Sequence, residues 1–427
     1  MRIQIKNGQV IDPLQAVDAV MDVFIAEGRI VALGNTPDGF QADQIIDATK
    51  MIVTPGFIDL CARLREPGAE HKGNIASETT AAAAGGITTV CVPPDTQPVI
   101  DTPAVIELIH QRAQAAGMCH VLPIGALTRG LAGEHLSEMA RLKAAGCVGV
   151  SNVTQAFTNT YVIRRAMEYA ANNDLTVFIH PEDSGLSKHG CAHEGVVSTR
   201  LGLPGIPEAA ETLAVANYLM LIEQTGARVH FCRLSTARAI QMIARAKYDG
   251  HAISTDVAAH QLHLTEFDIG FFDSQCHVRP PLRTQRDRDG LREAVAKGRI
   301  DAICSDHQPH DVDAKLAPFC QTEPGISAVE TLLPLSLRLV DDGLMNITEL
   351  LRRLSTTPAK ILGIDKGHLK PGSAADICIF DPAARWTLQH DTLRSSGHNT
   401  PFLGWEFKGR VVTTLLDGKI VFQLTSA

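Results

Sequence analysis

A chain of 427 residues with 45% hydrophobic and 20% charged content can bury a large core, and its length suits two or three domains or one large barrel with an appendage. The formal net charge of -8, with Lys and Arg scattered, leaves no basic stripe for a phosphate backbone, so nucleic acid is excluded as an expected partner. The start, MRIQIKNGQV, is not signal-like, and no run reaches the roughly 18 to 20 apolar residues of a membrane span, so no membrane is expected and the expected location is cytoplasmic.

In chain order, residues 1–54 read as short alternating strands (IQIKNGQVID, DVFIAEGRIVAL). From about residue 56 to residue 310 one unit then recurs: apolar strand, loop, amphipathic helix, closing glycine. Its strands are GFIDLCARL, ITTVCVPP, HVLPIGAL, VGVSNV, TVFIHPED, RVHFCRLS, HAISTDVAAH and DAICSDHQPH, nearly all apolar on both faces, as strands covered by helices must be. Eight such units predict an α/β fold with a closed (β/α)8 TIM barrel over residues 55–363.

Val105, Ile106, Ile109 and Ala113 mark the buried face of one crossover helix, and Val162, Ile163, Ala166, Met167 and Ala170 that of another. Gly85, Gly117, Gly146, Gly226 and Gly250 are expected in left-handed helix-closing positions. The last segment alternates again (ADICIFDP, RVVTTLLDGKIVF). Residues 1–54 and 364–427 are therefore expected to pair into one composite β-sandwich, since neither end can bury a face alone. The ten cysteines stand singly, without a CxxC pair, and most are expected to be reduced core residues.

In such a barrel the chemistry sits at the C-terminal ends of the strands. These carry Cys61, Arg63 and Arg65, then Asp95, Ser151 and Asn152, His180, Arg233, His260, and finally Asp306, His307 and His310. The markers DxxxxLREPG (Asp59 to Gly68), HPED (His180 to Asp183), LGLPGIPEAAE (Leu201 to Glu211), PPLR (Pro280 to Arg283), SDHQPH (Ser305 to His310) and NTPFLGW (Asn399 to Trp405) occur in that order. On these the chain resembles the dihydroorotase branch of the amidohydrolase superfamily over essentially its whole length.

The resemblance implies a barrel in which two metal ions activate a water that opens or closes a cyclic amide. Carried over position by position, the histidine pair of the first strand falls at Cys61 and Arg63, and the bridging ligand near Asn152 or Val153. The fifth-strand ligand is retained as His180, the sixth-strand histidine falls at Arg233, and the eighth-strand aspartate is retained as Asp306. A guanidinium carries donors only and is always protonated, so it offers a metal no lone pair. Two of them beside Asp306 are expected to pair with that carboxylate in place of the cations.

The substrate-holding positions correspond to Arg65, Asp95 and His310, and an acidic Asp95 opposes a substrate carboxylate. His180 is expected to make structural hydrogen bonds, His307 to be a loop residue satisfied by its neighbours, and His189, His193, His260, His263 and His277 to lie on surfaces or loops.

The implied reading is a pseudoenzyme with no catalytic residues, no metal and no cofactor. It is closest to the noncatalytic pseudo-dihydroorotase chains that organise the catalytic chain of aspartate transcarbamoylase, and is expected to be a homodimer. Two alternatives remain: a working amidohydrolase built on His180, Asp306 and perhaps Cys61, and a metal-free binder of a small carboxylate through Arg65 and His310.

Overall fold

A computed structural model describes residues 1–155, 157 and 159–424 of the chain. Eight parallel strands form the barrel: β1 Phe57–Asp59, β2 Ile87–Val92, β3 His120–Pro123 carried on by Gly125–Ala126, β4 Gly149–Ser151, β5 Thr176–Ile179, β6 Val229–Phe231, β7 Ile253–Ala258 and β8 Ala302–Cys304. The ring closes beyond the ladder proper, where Arg63 N–H donates to the His307 carbonyl at 2.9 Å and His307 N–H to the Cys61 carbonyl at 3.2 Å.

The strands alternate as a barrel requires. Ile58, Cys91, Ile124, Phe178, Ala302 and Cys304 pack in one cluster that fills the lumen. Phe57, Val90, Val121, Val150, Val177, Val229, Val257 and Ile303 instead join the large core beneath the helices.

Several strands are shorter than the sequence pattern predicts. In β1 the ladder ends at Asp59, whose carboxylate accepts from Ser305 N–H at 2.9 Å and Cys61 N–H at 3.4 Å. These bonds anchor the chain just before Cys61 and Arg63, whose backbone groups pair with His307 across the closing seam.

The predicted face of helix Pro103–Ala116 is buried as expected. On helix Thr160–Asn172 only Ala166, Met167 and Ala170 are buried, while Val162 and Ile163 are half-buried. Gly117 and Gly226 close their helices in the left-handed region, but Gly85 has φ -82° and Gly86, at φ 80°, takes the left-handed step. A Cβ on Gly86 would lie 2.5 Å from the Cys378 sulfur.

Both chain ends contribute to a single eight-stranded sheet. Its order is Lys419–Gln423, Glu406–Leu416, Ile377–Thr387, Ile52–Pro55, Arg2–Asp12, Val17–Ala26 and Arg29–Leu33, with Gln44–Asp47 also against Arg2–Asp12. The two halves meet where Ile52–Pro55 runs antiparallel to Ile377–Thr387. Ile3, Ile5, Val23, Ile25, Ile377, Ile379 and Leu415 fill the space between the folded-over halves, so the expected sandwich of the two termini is present beside the barrel.

Candidate functional site

The site begins with Asp306, one residue beyond Ser305, whose hydroxyl is held by Asp59. Asp306 is buried with φ 49°. Its Oδ1 accepts from Arg233 Nη1 at 2.9 Å and from Arg63 Nη1 at 3.5 Å. Cys61 Sγ lies 3.6 Å from the same oxygen, and the Gln308 amide sits 3.3 Å from both carboxylate oxygens. The two guanidiniums outweigh burial and hold the Asp306 carboxyl below its ordinary value, so it is an anion caged by cations. Burial, helped by the neighbouring Asp306 and Asp59 carboxylates, drives the Cys61 thiol far up despite the two guanidiniums, which keeps it from acting as a thiolate.

Each arginine is aimed by a second contact. Arg63 Nε donates to Asp95 Oδ2 at 2.8 Å, so the carboxylate expected to repel a substrate is neutralised inside the protein. Arg233 has φ 53° and gives its backbone N–H to Asp256, which also accepts from His230 Nε2 at 2.9 Å. Asp256 and His230 are both buried and were not among the expected site residues. An acid within the apolar strand ISTDVA is the signal that could have found them.

At the position expected to bridge two ions, Asn152 is fully engaged. Its Oδ1 accepts from Thr128 Oγ1 at 2.7 Å, and its Nδ2 donates to the Gln155 carbonyl at 3.1 Å and the Leu131 carbonyl at 3.4 Å. The adjacent Val153 carries φ 53°, a strained conformation for a β-branched residue.

His180 is buried, with Nε2 3.6 Å from Glu182, and Glu182 is itself clamped by Arg279. Neither ring nitrogen of His180 has a hydrogen-bond partner among the described residues, which differs from the structural hydrogen bonding expected of it. His260, expected on a surface or in a loop, lies in the turn just after β7 but is buried there, close enough to Asp306 and Arg233 to feel both charges. Its ring nitrogens are likewise unpartnered, and burial pushes it down to about 4, so it is neutral.

His193 and His277 are also buried and His263 half-buried, because the long mouth loops fold inward over the barrel; His189 alone of that group is exposed. His307 is satisfied by its neighbours as expected, but from full burial: Nε2 lies 2.9 Å from Glu78 and Nδ1 accepts from Ala328 N–H at 2.9 Å.

Arg65 and His310 do meet, with Arg65 Nη2 3.1 Å from His310 Nε2. Arg65 Nε is committed to the Pro309 carbonyl at 2.8 Å, and burial with the neighbouring guanidinium pushes His310 down to about 3. Cys191 and Cys320 are disulfide-bonded between two mouth loops, 129 residues apart; the other eight cysteines are free. Single spacing in the sequence carried no sign of that pair, since only the fold brings the loops together.

These side chains do not fit a pair of metal ions. Two expected ligand positions hold guanidiniums, one of which already occupies an Asp306 lone pair, and the bridging position holds an amide with its hydrogen bonds spent. Among the described residues, the potential donor atoms that do converge are His230, Cys232 and Asp256, and His120, Asp376 and Asp417. Neither group includes an expected ligand position, and in the first His230 and Asp256 already hydrogen-bond each other. No helix among the described residues is long and apolar enough to cross a membrane.

Comparison with known proteins agrees with this architecture. The dihydro-orotase-like family profile matches residues 49–239, and an amidohydrolase family profile matches residues 313–422. A dihydroorotase-like protein of Pseudomonas aeruginosa is 50% identical over 423 residues, covering 99% of this chain and 100% of that relative. A protein of Geobacter metallireducens named dihydroorotase is 44% identical over 423 residues, with the same coverage of 99% and 100%. Among solved structures, L-hydantoinase (dihydropyrimidinase) from Arthrobacter aurescens superposes with a TM-score of 0.88 at 22% identity, over 99% of this chain and 96% of that one, which speaks for the fold. A barrel with its sandwich of chain ends, retained markers along the strands and relatives matched end to end place the chain in the dihydroorotase-like amidohydrolase family.

Proposed function

We propose that this protein is a catalytically inactive dihydroorotase homologue, which serves pyrimidine biosynthesis as a structural subunit that organises the catalytic chain of aspartate transcarbamoylase, itself as a homodimer. The observation that carries the reading is the cage around Asp306. A carboxylate that would ligate a cation is paired with Arg233 at 2.9 Å and Arg63 at 3.5 Å. Two unit like charges about 4 Å apart repel by on the order of 4 kcal/mol at an effective dielectric of 20, and a divalent ion seated there would face about twice that from each arginine. Without a metal-bound hydroxide, the remaining His180, His260 and Cys61 supply no activated nucleophile, since both histidines are buried with their proton affinity lowered and the thiol is held protonated.

A second reading draws on the relatives named dihydroorotase, at 44% identity: a working amidohydrolase with an atypical centre. One preparation separates the two. The purified protein is assayed for dihydroorotate and carbamoyl aspartate interconversion, its zinc is measured by elemental analysis, and its sedimentation is followed with and without the aspartate transcarbamoylase catalytic chain. The scaffold reading expects no turnover, substoichiometric zinc and a co-sedimenting complex. Turnover that tracks bound zinc overturns it.

A further inference from the structure

Three phenylalanines stand exposed within six residues on the mouth side of the barrel, in the loop that follows β7. They are Phe267, Phe271 and Phe272, and Phe271 is 97% exposed. The loop after β8 adds Val312 and Leu316, 74% and 73% exposed. The two loops form one platform: Gly325 N–H donates to the His277 carbonyl at 2.8 Å, Lys315 Nζ lies 3.4 Å from that same oxygen, and the His277 ring meets the Thr322 hydroxyl at 2.8 Å. Internal caps hold it in shape, with Asp268 accepting from Thr265 N–H at 2.7 Å and Asp273 from Gln275 N–H at 2.9 Å. Large apolar side chains held outward on an ordered loop are the anatomy of a binding hot spot, whose rigidity lowers the entropic cost of association.

Charge tells what kind of surface fits. The same two loops carry the carboxylates of Asp268, Asp273, Asp311 and Asp313. Their lysine, Lys315, is buried, with Nζ given to the Glu323 carbonyl at 2.7 Å. A second copy of this chain docking here about a two-fold axis would bring acid against acid. A partner with an apolar pocket ringed by Arg or Lys would meet complementary charge.

We infer that the Phe267, Phe271, Phe272, Val312 and Leu316 platform is the surface by which this chain holds its partner protein, through an apolar pocket with a basic rim; the inference rests on the scaffold reading above. The platform borders the mouth of the barrel, so loss of chemistry in the pocket does not disturb it.

The test uses the full chain and the purified aspartate transcarbamoylase catalytic chain, with sedimentation velocity and surface plasmon resonance. F271S/F272N changes exposed residues and D311K/D313K a half-buried and an exposed one, and circular dichroism melts verify that each variant folds like the wild type. The expected result is a complex with wild type that weakens as salt rises, at least tenfold weaker binding for F271S/F272N, and several-fold weaker binding for D311K/D313K. Equal binding by all three proteins overturns this surface and leaves the scaffold reading standing. No complex with wild type sinks the scaffold reading, and this surface with it. Self-association of the wild type that F271S/F272N abolishes assigns the platform to a second copy and overturns the proposal.

Discussion

Asp306 and His307 are neighbours in sequence and stand in two buried polar networks of opposite character. His307 faces Glu78, which also receives the Ser395 hydroxyl, while its Nδ1 is held by the Ala328 N–H; every contact ties barrel, helix and the long return segment together. Asp306 faces a cage in which cationic side chains stand where ligands to a cation are expected, and three nearby groups, His180, His260 and Arg233 Nε, have polar atoms without partners among the described residues. The first network is a satisfied joint. The second is a charge balance, kept because one buried ion cannot be removed without stranding the other.

Breaking that balance should have the largest effect. Arg233→Met leaves Asp306 buried with the longer Arg63 contact as its remaining ion pair, so unfolding free energy in urea should fall by roughly 3 to 5 kcal/mol. Loss of less than about 1 kcal/mol would show that the cage is not what holds Asp306.

A satisfied joint serves as the control. Glu211, buried at the helix Glu208–Thr225, accepts from Ser235 N–H at 3.0 Å and Thr236 N–H at 2.9 Å as well as from both hydroxyls. Glu211→Ala should cost about 2 to 3 kcal/mol by the same measurement, with no change in net cage charge.

Next comes pH. Burial pushes His193, His260 and His277 down to about 4 and His310 to about 3, whereas the unfolded chain titrates near the ordinary value of 6.5. Between those limits the unfolded state binds more protons, so stability should fall as pH drops from about 6.5 toward 4. Asp59 acts in the opposite sense: burial pushes it up to about 7, so the folded state keeps its proton and stability falls as pH rises from about 4 to 7. Burial also pushes His263 down to about 4 and Glu330 up to about 7, so five imidazoles outweigh two carboxyls, and His260→Gln should flatten the acid limb by roughly 1 kcal/mol per pH unit. An unchanged slope in urea titrations across that range would place His260 in contact with water.

The smallest effect belongs to Arg63→Met. Asp95 is 30% exposed and can be solvated once abandoned, while Arg233 still neutralises Asp306, so the loss should be about 1 kcal/mol. A loss as large as that of Arg233→Met would make the two arginines equal partners.

The amino-acid sequence by itself carried the barrel, because strands covered on both faces leave long apolar runs and the recurring helix period between them is hard to imitate. It also carried the identity of Cys61, Arg63, Arg233 and Asp306 at the strand ends, since position along a strand decides which residues reach the mouth. Tertiary structure alone decided how those charges are shared: that Arg63 spends its Nε on Asp95, that Asp256 and His230 seat Arg233, and that His260 is sealed inside. Loop closure decided the Cys191–Cys320 pair and the burial of His193 and His277. Each of these depends on residues dozens to hundreds of positions apart, and local pattern reports which face a side chain takes, not which distant group will meet it there.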